Sequence, residues 1–410
     1  MSKSTNPWHE RKEALRRRAL TMGFAAAGFA PSRPPPHAAD LGPWLAAGCH
    51  GEMNWMAREP ERRADPRSVM EGDGIVLVLG YNLAPGSQDA APDQGVIASY
   101  ARHADYHDFL KKKSRELITW LEWELGHPVW HRIFVDSGPV LEKPLAVAAG
   151  LGWQGKNSLL VSRRFGCRLM LAEIFLALPM TPDPMEEDHC GTCNRCVRAC
   201  PTQALERPYR LNASRCLATF SVEARGAIPR EFRQAMGMRI FGCDLCLSTC
   251  PWNRFAPKTR EPVVVSSQRE PERSLAAWAA LDGGGFQAIF RHTPLKRLGL
   301  TRFLRNVATA LGNWRHPDAL PPLERLLRND SPLVRQHAVW ALGNLAQWAI
   351  NETGSQFNSI EIVQEIIALL DTIDPLEQDP TVRAEIVWAC DQARQLPAEE
   401  KRAAREEESP

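Results

Sequence analysis

Between Gly74 and Leu83 the chain reads Gly-Ile-Val-Leu-Val-Leu-Gly-Tyr-Asn-Leu, almost wholly apolar and closed by Pro85. An apolar run without polar alternation predicts a buried central strand. From Ser99 to Glu124 the spacing of Leu110, Leu117, Ile118 and Leu121 predicts a helix. Arg132–Asp136 reads as a short strand ending on an acid, Leu145–Leu151 as a helix stopped by Gly152, and Leu159–Val161 with Cys167–Leu178 as a hairpin. Upstream, Glu10–Arg18 has the pattern of an amphipathic helix with Leu15 and Leu20 facing inward, followed by a stiff Pro31–Pro36 loop. Arg16-Arg-Arg18 ahead of Ala19–Pro31 has the outline of a twin-arginine export signal, but the apolar part is short and broken by Gly23 and Gly28, so the helix is preferred. Residues 1–180 are thus expected to form an α+β domain.

After Pro257 the pattern repeats. Ala308-Thr-Ala-Leu-Gly-Asn313 returns as Val339-Trp-Ala-Leu-Gly-Asn344, and Val334–Ala341 returns as Val382–Ala389, with extra residues around Ile350–Asn358. Such repeats predict stacked helical pairs of the HEAT type, each unable to bury its apolar face alone. Cys390 then aligns with Leu342 as a core position, and the charged tail from Glu399 is expected to fray.

Composition adds bounds. The 410 residues are 44% hydrophobic and 24% charged, and no run of about 18 apolar residues could span a bilayer. With 50 basic against 48 acidic residues, net +2, any nucleic-acid surface must be local. One stretch qualifies: Phe290–Pro317 contains no acid while carrying Arg291, Lys296, Arg297, Arg302, Arg305 and Arg315. A charge run is often only a solvated face, but at the start of a solenoid it points to phosphate contact, with Arg297, Arg302 and Arg305 as candidates.

The cysteines carry the chemistry. Of eleven, eight fall between Cys190 and Cys250. Cys190-Gly-Thr-Cys193-Asn-Arg-Cys196-Val-Arg-Ala-Cys200-Pro201 has the C-x2-C-x2-C-x3-C-P spacing of two-cluster ferredoxins, in which the fourth thiolate serves the other cluster. Cys243-Asp-Leu-Cys246-Leu-Ser-Thr-Cys250-Pro251 is a second, partial run, and Cys216 supplies the missing ligand. By this crossover Cys190, Cys193, Cys196 and Cys250 hold one 4Fe-4S cluster, and Cys200, Cys216, Cys243 and Cys246 the other. Paired zinc sites also use C-x2-C, but they do not account for two x3-C-P endings. Cys49, Cys167 and Cys390 stand alone and are expected to be packing residues. A relay of this kind needs something to reduce.

Several blocks resemble the epoxyqueuosine reductase family: Arg62-Arg-Ala-Asp-Pro66, Tyr100-Ala-Arg102 with Asp105-Tyr-His107, Val135-Asp-Ser-Gly-Pro-Val-Leu-Glu142, Gly150-Leu-Gly-Trp-Gln-Gly-Lys-Asn-Ser158, Ile240-Phe-Gly-Cys-Asp244, Cys250-Pro-Trp-Asn253 and Leu295–Asn313. The resemblance implies a cobalamin-binding α/β part (1–180), a ferredoxin-like module (181–256) and a tRNA-binding HEAT-like part (257–410). It also implies reduction of an epoxide to an alkene on the modified wobble base of a tRNA anticodon stem-loop, through base-off cob(II)alamin and two 4Fe-4S clusters. Asp136 matches the family's proton donor and a cofactor contact; its apolar setting is expected to raise its pKa. Arg58, Tyr100, Asn157, Ser158, Ser221 and Asp244 match corrin contacts. Asp105-Tyr-His107-Asp-Phe-Leu110 lacks the final Gly of Asp-x-His-x-x-Gly, so His107 is not read as a cobalt ligand. A cytoplasmic monomer with no membrane contact, fed by an external low-potential electron donor, completes the expectation. The competing readings are another cobalamin iron–sulfur reductase of the dehalogenase kind, and an RNA-holding scaffold that the clusters merely stabilise.

Overall fold

The apolar run becomes strand β2 (Ile75–Asn82), buried at all eight positions. The computed structural model describes residues 7–70, 72–82, 91–257, 273–352 and 357–395; Leu83, part of the insertion near Ile350 and the tail from Glu399 lie outside them. No described helix is long and apolar enough to cross a membrane.

Two compact units emerge, Met1–Gly86 with His103–Thr219 and Asp244–Ser266, and Ser87–Arg102 with Phe220–Cys243 and Ser267–Pro410. The division therefore departs from 1–180, 181–256 and 257–410. The physical reason is that the strand Val96–Ile97 pairs in parallel with Arg239–Phe241, and Ile97, Ala101, Ile240 and Phe241 join the apolar core of the helical repeats.

In the first unit β2 lies between β1 (Ala26–Pro31) and β4 (Leu169–Leu176), with β3 (His131–Phe134) beyond β4, all antiparallel. The expected hairpin is replaced: Leu160–Val161 pairs with Trp153–Gln154, and β4 enters the main sheet because its own apolar face needs cover. On one face Tyr81 meets Phe109 of helix α2 (Tyr106–Leu125), and Lys12 and Arg16 of α1 (Pro7–Thr21) lie over Phe29. Helix α3 (Glu142–Ala148) covers the other face through Leu145 and Ala146 against Val76, Val78 and Phe175. Leu15 is buried in α1, but Leu20 is 43% exposed, because the helix ends at Thr21 and Ala19 takes the inward position instead. α2 starts later than the apolar spacing predicts, since Asp105 caps it by accepting from the His107 N–H at 3.1 Å.

The second unit stacks α4 (Leu300–Trp314), α6 (Pro332–Asn351) and α8 (Pro380–Ala393), with α5 (Leu320–Leu327) and α7 (Ser359–Ile373) as the paired helices. The repeated Gly-Asn explains the stacking. A Cβ on Gly312 would stand 2.7 Å from the Ala341 Cα, and one on Gly343 2.9 Å from the Ala389 Cα, so glycine sets the helix spacing. The following Asn ties each layer to the one before: Asn344 Nδ2 donates to Gly312 O at 2.8 Å, and Asn313 Nδ2 to Arg233 O at 2.8 Å. Cys390 is half-buried against this core.

The arginine expectation needs correction here. Arg305 is fully buried, and its guanidinium donates to Ala224 O (2.9 Å), Gly226 O (2.6 Å) and Phe220 O (2.6 Å). Those carbonyls belong to a π-helical turn and its exit, Thr219–Glu223 onward, where the regular ladder fails and acceptors need donors from elsewhere. Arg302 is half-buried and bonded to Leu298 O and Val222 O at 2.7 and 3.2 Å. Arg305 is thus a structural brace and not a phosphate contact, while Arg297 stays exposed.

A buried ion pair closes the stack: Arg233 (2% exposed) reaches Glu385 (1%) at 3.1 Å, with Arg230 at 2.9 Å from the same carboxylate. Removing the acid strands a buried guanidinium, so Glu385→Ala is expected to cost about 3–5 kcal/mol in urea unfolding. Glu324→Ala, which breaks only the exposed pair with Arg328, should stay within about 0.5 kcal/mol. Equal losses would count against this account.

Candidate active site

Cys190, Cys193, Cys196 and Cys250 line one cavity of about 200 Å3, together with Lys156, Asn157, Arg195, Trp252 and Arg254. Cys200 is not among the lining residues. The geometry follows from two four-residue helices, Arg195–Arg198 and Leu245–Ser248, each followed by Cys-Pro. The cavity suits an anionic cluster: Trp153 Nε1 donates to Cys190 Sγ at 3.4 Å, and Lys156 Nζ holds the cysteine loop through Gly191 O (2.6 Å) and Asn194 Oδ1 (3.1 Å). Asn253 pins the other run, its Oδ1 accepting from Cys167 N at 2.9 Å and its Nδ2 donating to Leu247 O at 2.6 Å. Cys167 is a buried packing residue that does more than pack: its thiol donates to Cys250, and that bond draws the Cys250 pKa down to about 7. Of the second set, Cys200 Sγ accepts from Ala204 N at 3.2 Å, and Cys200, Cys216, Cys243 and Cys246 are all half-buried.

The acid site lies at the start of α2 and the turn after β3. Asp136 sits in the left-handed region, φ +52°, with 57% of its side chain exposed. Tyr106 Oη donates to Asp136 Oδ2 at 2.7 Å, and His107 Nε2 stands 3.4 Å from the same oxygen. The other ring nitrogen, Nδ1, meets Asp105 Oδ1 at 2.5 Å, so an imidazolium here would lie between two carboxylates. The Asp136 backbone N–H donates to the Glu142 carboxylate. Against the expectation of a raised pKa, Asp136 is held below the usual carboxylate range: burial pushes it up, but the hydrogen bonds from His107 and Tyr106 together prevail.

The proposed corrin contacts divide. Arg58 is exposed, and Tyr100, Ser158 (φ +61°) and Asp244 are partly so. Asn157 and Ser221 are enclosed and already committed. Asn157 Nδ2 donates to Cys246 O at 3.1 Å and Oδ1 accepts from Leu159 N at 3.2 Å, while Ser221 Oγ accepts from Gly242 N at 3.0 Å. Both hold backbone next to the second cysteine run, and Ser221, with no accessible surface, offers nothing to a macrocycle. His107, expected only to be structural or to face the substrate, turns out to be two-sided; Tyr106, Glu142 and Glu173 are not expected from the sequence, and the signals for them are the consecutive Asp-Tyr-His and a lone acid in the apolar run Leu169–Leu176.

Comparison with known proteins decides the family. A sequence profile described as "Epoxyqueuosine reductase QueG, DUF1730" matches residues 63–137, a 4Fe-4S double cluster binding domain matches 189–253, and HEAT repeats match 301–353. An epoxyqueuosine reductase of Pseudomonas aeruginosa is 39% identical over 330 residues, 78% of this chain and 91% of that protein. The chain belongs to the epoxyqueuosine reductase family. Among solved structures, an epoxyqueuosine reductase with an epoxyqueuosine-modified tRNA-Tyr stem loop superposes with TM-score 0.82 at 26% identity, covering 95% of this chain and 100% of that one. An epoxyqueuosine reductase from Bacillus subtilis, with its catalytic aspartate loop swung out of the active site, gives 0.81 at 25%, covering 94% and 99%.

For this epoxyqueuosine reductase family member the Tyr106 bond generates a measurable effect. Tyr106→Phe removes a donor that favours the carboxylate, so the Asp136 titration midpoint, followed by carboxyl-carbon NMR, is expected to rise. The sign also fixes stability: a depressed carboxylate stabilises the fold above the unfolded value near 4, and that contribution disappears as pH falls through the folded value. An unchanged midpoint would mean that Tyr106 does not set the Asp136 charge.

Proposed function

We propose that this protein reduces epoxyqueuosine to queuosine at the wobble position of tRNA, acting in the cytoplasm as the last step of queuosine formation. The observation that carries this is the combination, in one chain, of family membership with an acid site at Asp136 and a double-cluster module. Cys190, Cys193, Cys196 and Cys250 would hold one cluster, and Cys200, Cys216, Cys243 and Cys246 the other. The cobalamin periphery is rich in carboxamides, and Arg58, Tyr100, Ser158 and Asp244 offer accessible donors and acceptors of matching chemistry. When bound, the clusters and the cobalamin supply two low-potential electrons, delivered by an external donor.

What the chain itself supplies is a proton and its control. Opening an epoxide to an alkene releases its oxygen as water, and the departing oxygen must be protonated. Asp136 faces outward for that task. Its depressed pKa means that it rests as a carboxylate, so it must be recharged, and His107, 3.4 Å away and oriented by Asp105, is placed to hand it a proton. Tyr106 keeps Oδ2 directed at this relay. On the helical repeats, the exposed Arg291, Lys296 and Arg297 replace Arg305 as the proposed phosphate contacts.

The reading is tested by incubating epoxyqueuosine-bearing tRNA with the cluster- and cobalamin-loaded protein and a reductant, then analysing nucleosides. Queuosine should accumulate; intact cofactors without it would overturn the proposal. Asp136→Asn should keep both cofactors and lose about 10²-fold or more in turnover. Joint replacement of Lys296 and Arg297 by Ala should flatten the salt dependence of tRNA binding. Arg305→Ala should lower the melting temperature instead, and an unaltered salt slope in the double variant would return this stretch to a solvated face.

A further inference from the structure

Glu173 occupies the middle of β4 in the register between Val78 of β2 and Phe134 of β3. It has no accessible surface, and among the described residues neither carboxyl oxygen has a hydrogen-bond partner. Strand alternation puts it on the face of Leu171 and Phe175, where Ala30, Val76, Val78 and the Leu145–Ala149 segment form an apolar cluster. An ionised carboxylate in that setting would be severely penalised. What it does face is another acid: the Glu142 carboxyl at the start of α3 lies within hydrogen-bonding reach. Two carboxylates cannot bond each other; a carboxyl and a carboxylate can, through one proton. Glu142 in turn accepts the backbone N–H of Asp136, the residue held at φ +52°.

We propose that Glu142 and Glu173 share a single proton, and that this pair is the latch holding the Asp136 turn in its working conformation. The inference rests on the function proposed above and adds two positioning residues to it. No covalent bond changes: one proton bridges an oxygen of each acid, the pair carries a single negative charge, and that charge is spent on the Asp136 N–H. The surrounding groups agree. The charged neighbours of Glu142 are Asp136 and Lys143, with His107 reached through Asp136; the strands packed against Glu173 present Val76, Val78 and Phe134, and the one charged side chain on that face of β3, Arg132 opposite Phe175, is exposed and lies over Trp130. Burial and the nearby acids push both pKa values up, Glu142 to about 7. With the proton gone, three carboxylates would crowd one another and the turn would lose its anchor.

The test uses the full chain loaded with its clusters and cobalamin. Glu173→Leu keeps the volume and removes a buried acid, so its melting temperature should equal or exceed that of the wild type. Its kcat should nevertheless fall about tenfold or more, as expected when a reacting group is mispositioned, with the KM for tRNA unchanged. Glu173→Gln, a permanent mimic of the protonated acid, should restore most of the turnover. Independently of turnover, infrared spectra at neutral pH should show a protonated-carboxyl band that disappears in Glu173→Gln. Wild-type kcat in Glu173→Leu, equal losses in the Leu and Gln variants, or the absence of that band would overturn the latch. If the wild type itself fails to convert the tRNA, the proposed function is what falls, and the infrared comparison still decides the pair.

Discussion

Eight residues of β2 pair with eight of β4, and the register of that ladder determines where the reactive groups of the first unit stand. It sets Glu173 opposite Val78, brings β3 against the outer edge of β4, and so ends β3 where its next turn exposes Asp136. A slip of one residue would turn Glu173 to the opposite face, where Tyr81 meets α2, and would present Ala172 and Ile174 to α3. The apolar alternation on both faces therefore does chemical as well as structural duty: the packing that stabilises the sheet also fixes an acid beneath the active turn.

Within a few residues the same fold moves carboxyl groups in opposite directions. Asp136 is pulled down by donors from the first turn of α2, whereas Glu142 is pushed up by burial and by the Asp136 charge, and Glu173 by burial and by Glu142. Desolvation alone would have raised all three. The difference is the partner each oxygen finds, a hydroxyl and an imidazole in one case and a second carboxyl in the other.

Much of this was legible in the chain, for identifiable reasons. The Ile75–Asn82 run announced a covered strand because only a central strand is apolar on both faces, and the Gly-Asn repeat announced stacking because glycine and a buried amide have specific uses there. The charge of Asp136 was misread, since its donors Tyr106 and His107 lie 30 and 29 positions away and their convergence depends on how α2 lies against β3 and β4. Arg305 was misread for a related reason: a positive residue in an acid-free stretch looks the same whether it faces phosphate or fills the carbonyl gap of a π-helical turn. Composition counts charges without distinguishing those that carbonyls have already satisfied.

The Gly-Asn pair also gives the helical stack a direction. Each asparagine reaches back, Asn313 to the Arg230–Met236 helix and Asn344 to α4, while each glycine opens a seat for the layer ahead. In α8 the positions matching Gly343 and Asn344 hold Asp391 and Gln392, the former exposed. A helix laid on this face would meet a charged side chain where earlier layers offer a bare backbone, so α8 lacks the seat that lets its predecessors be approached so closely. Among the described residues the stack is polar in the sense of a one-way joint: the layers up to α6 offer a bare-backbone seat, and α8 carries a charge in its place.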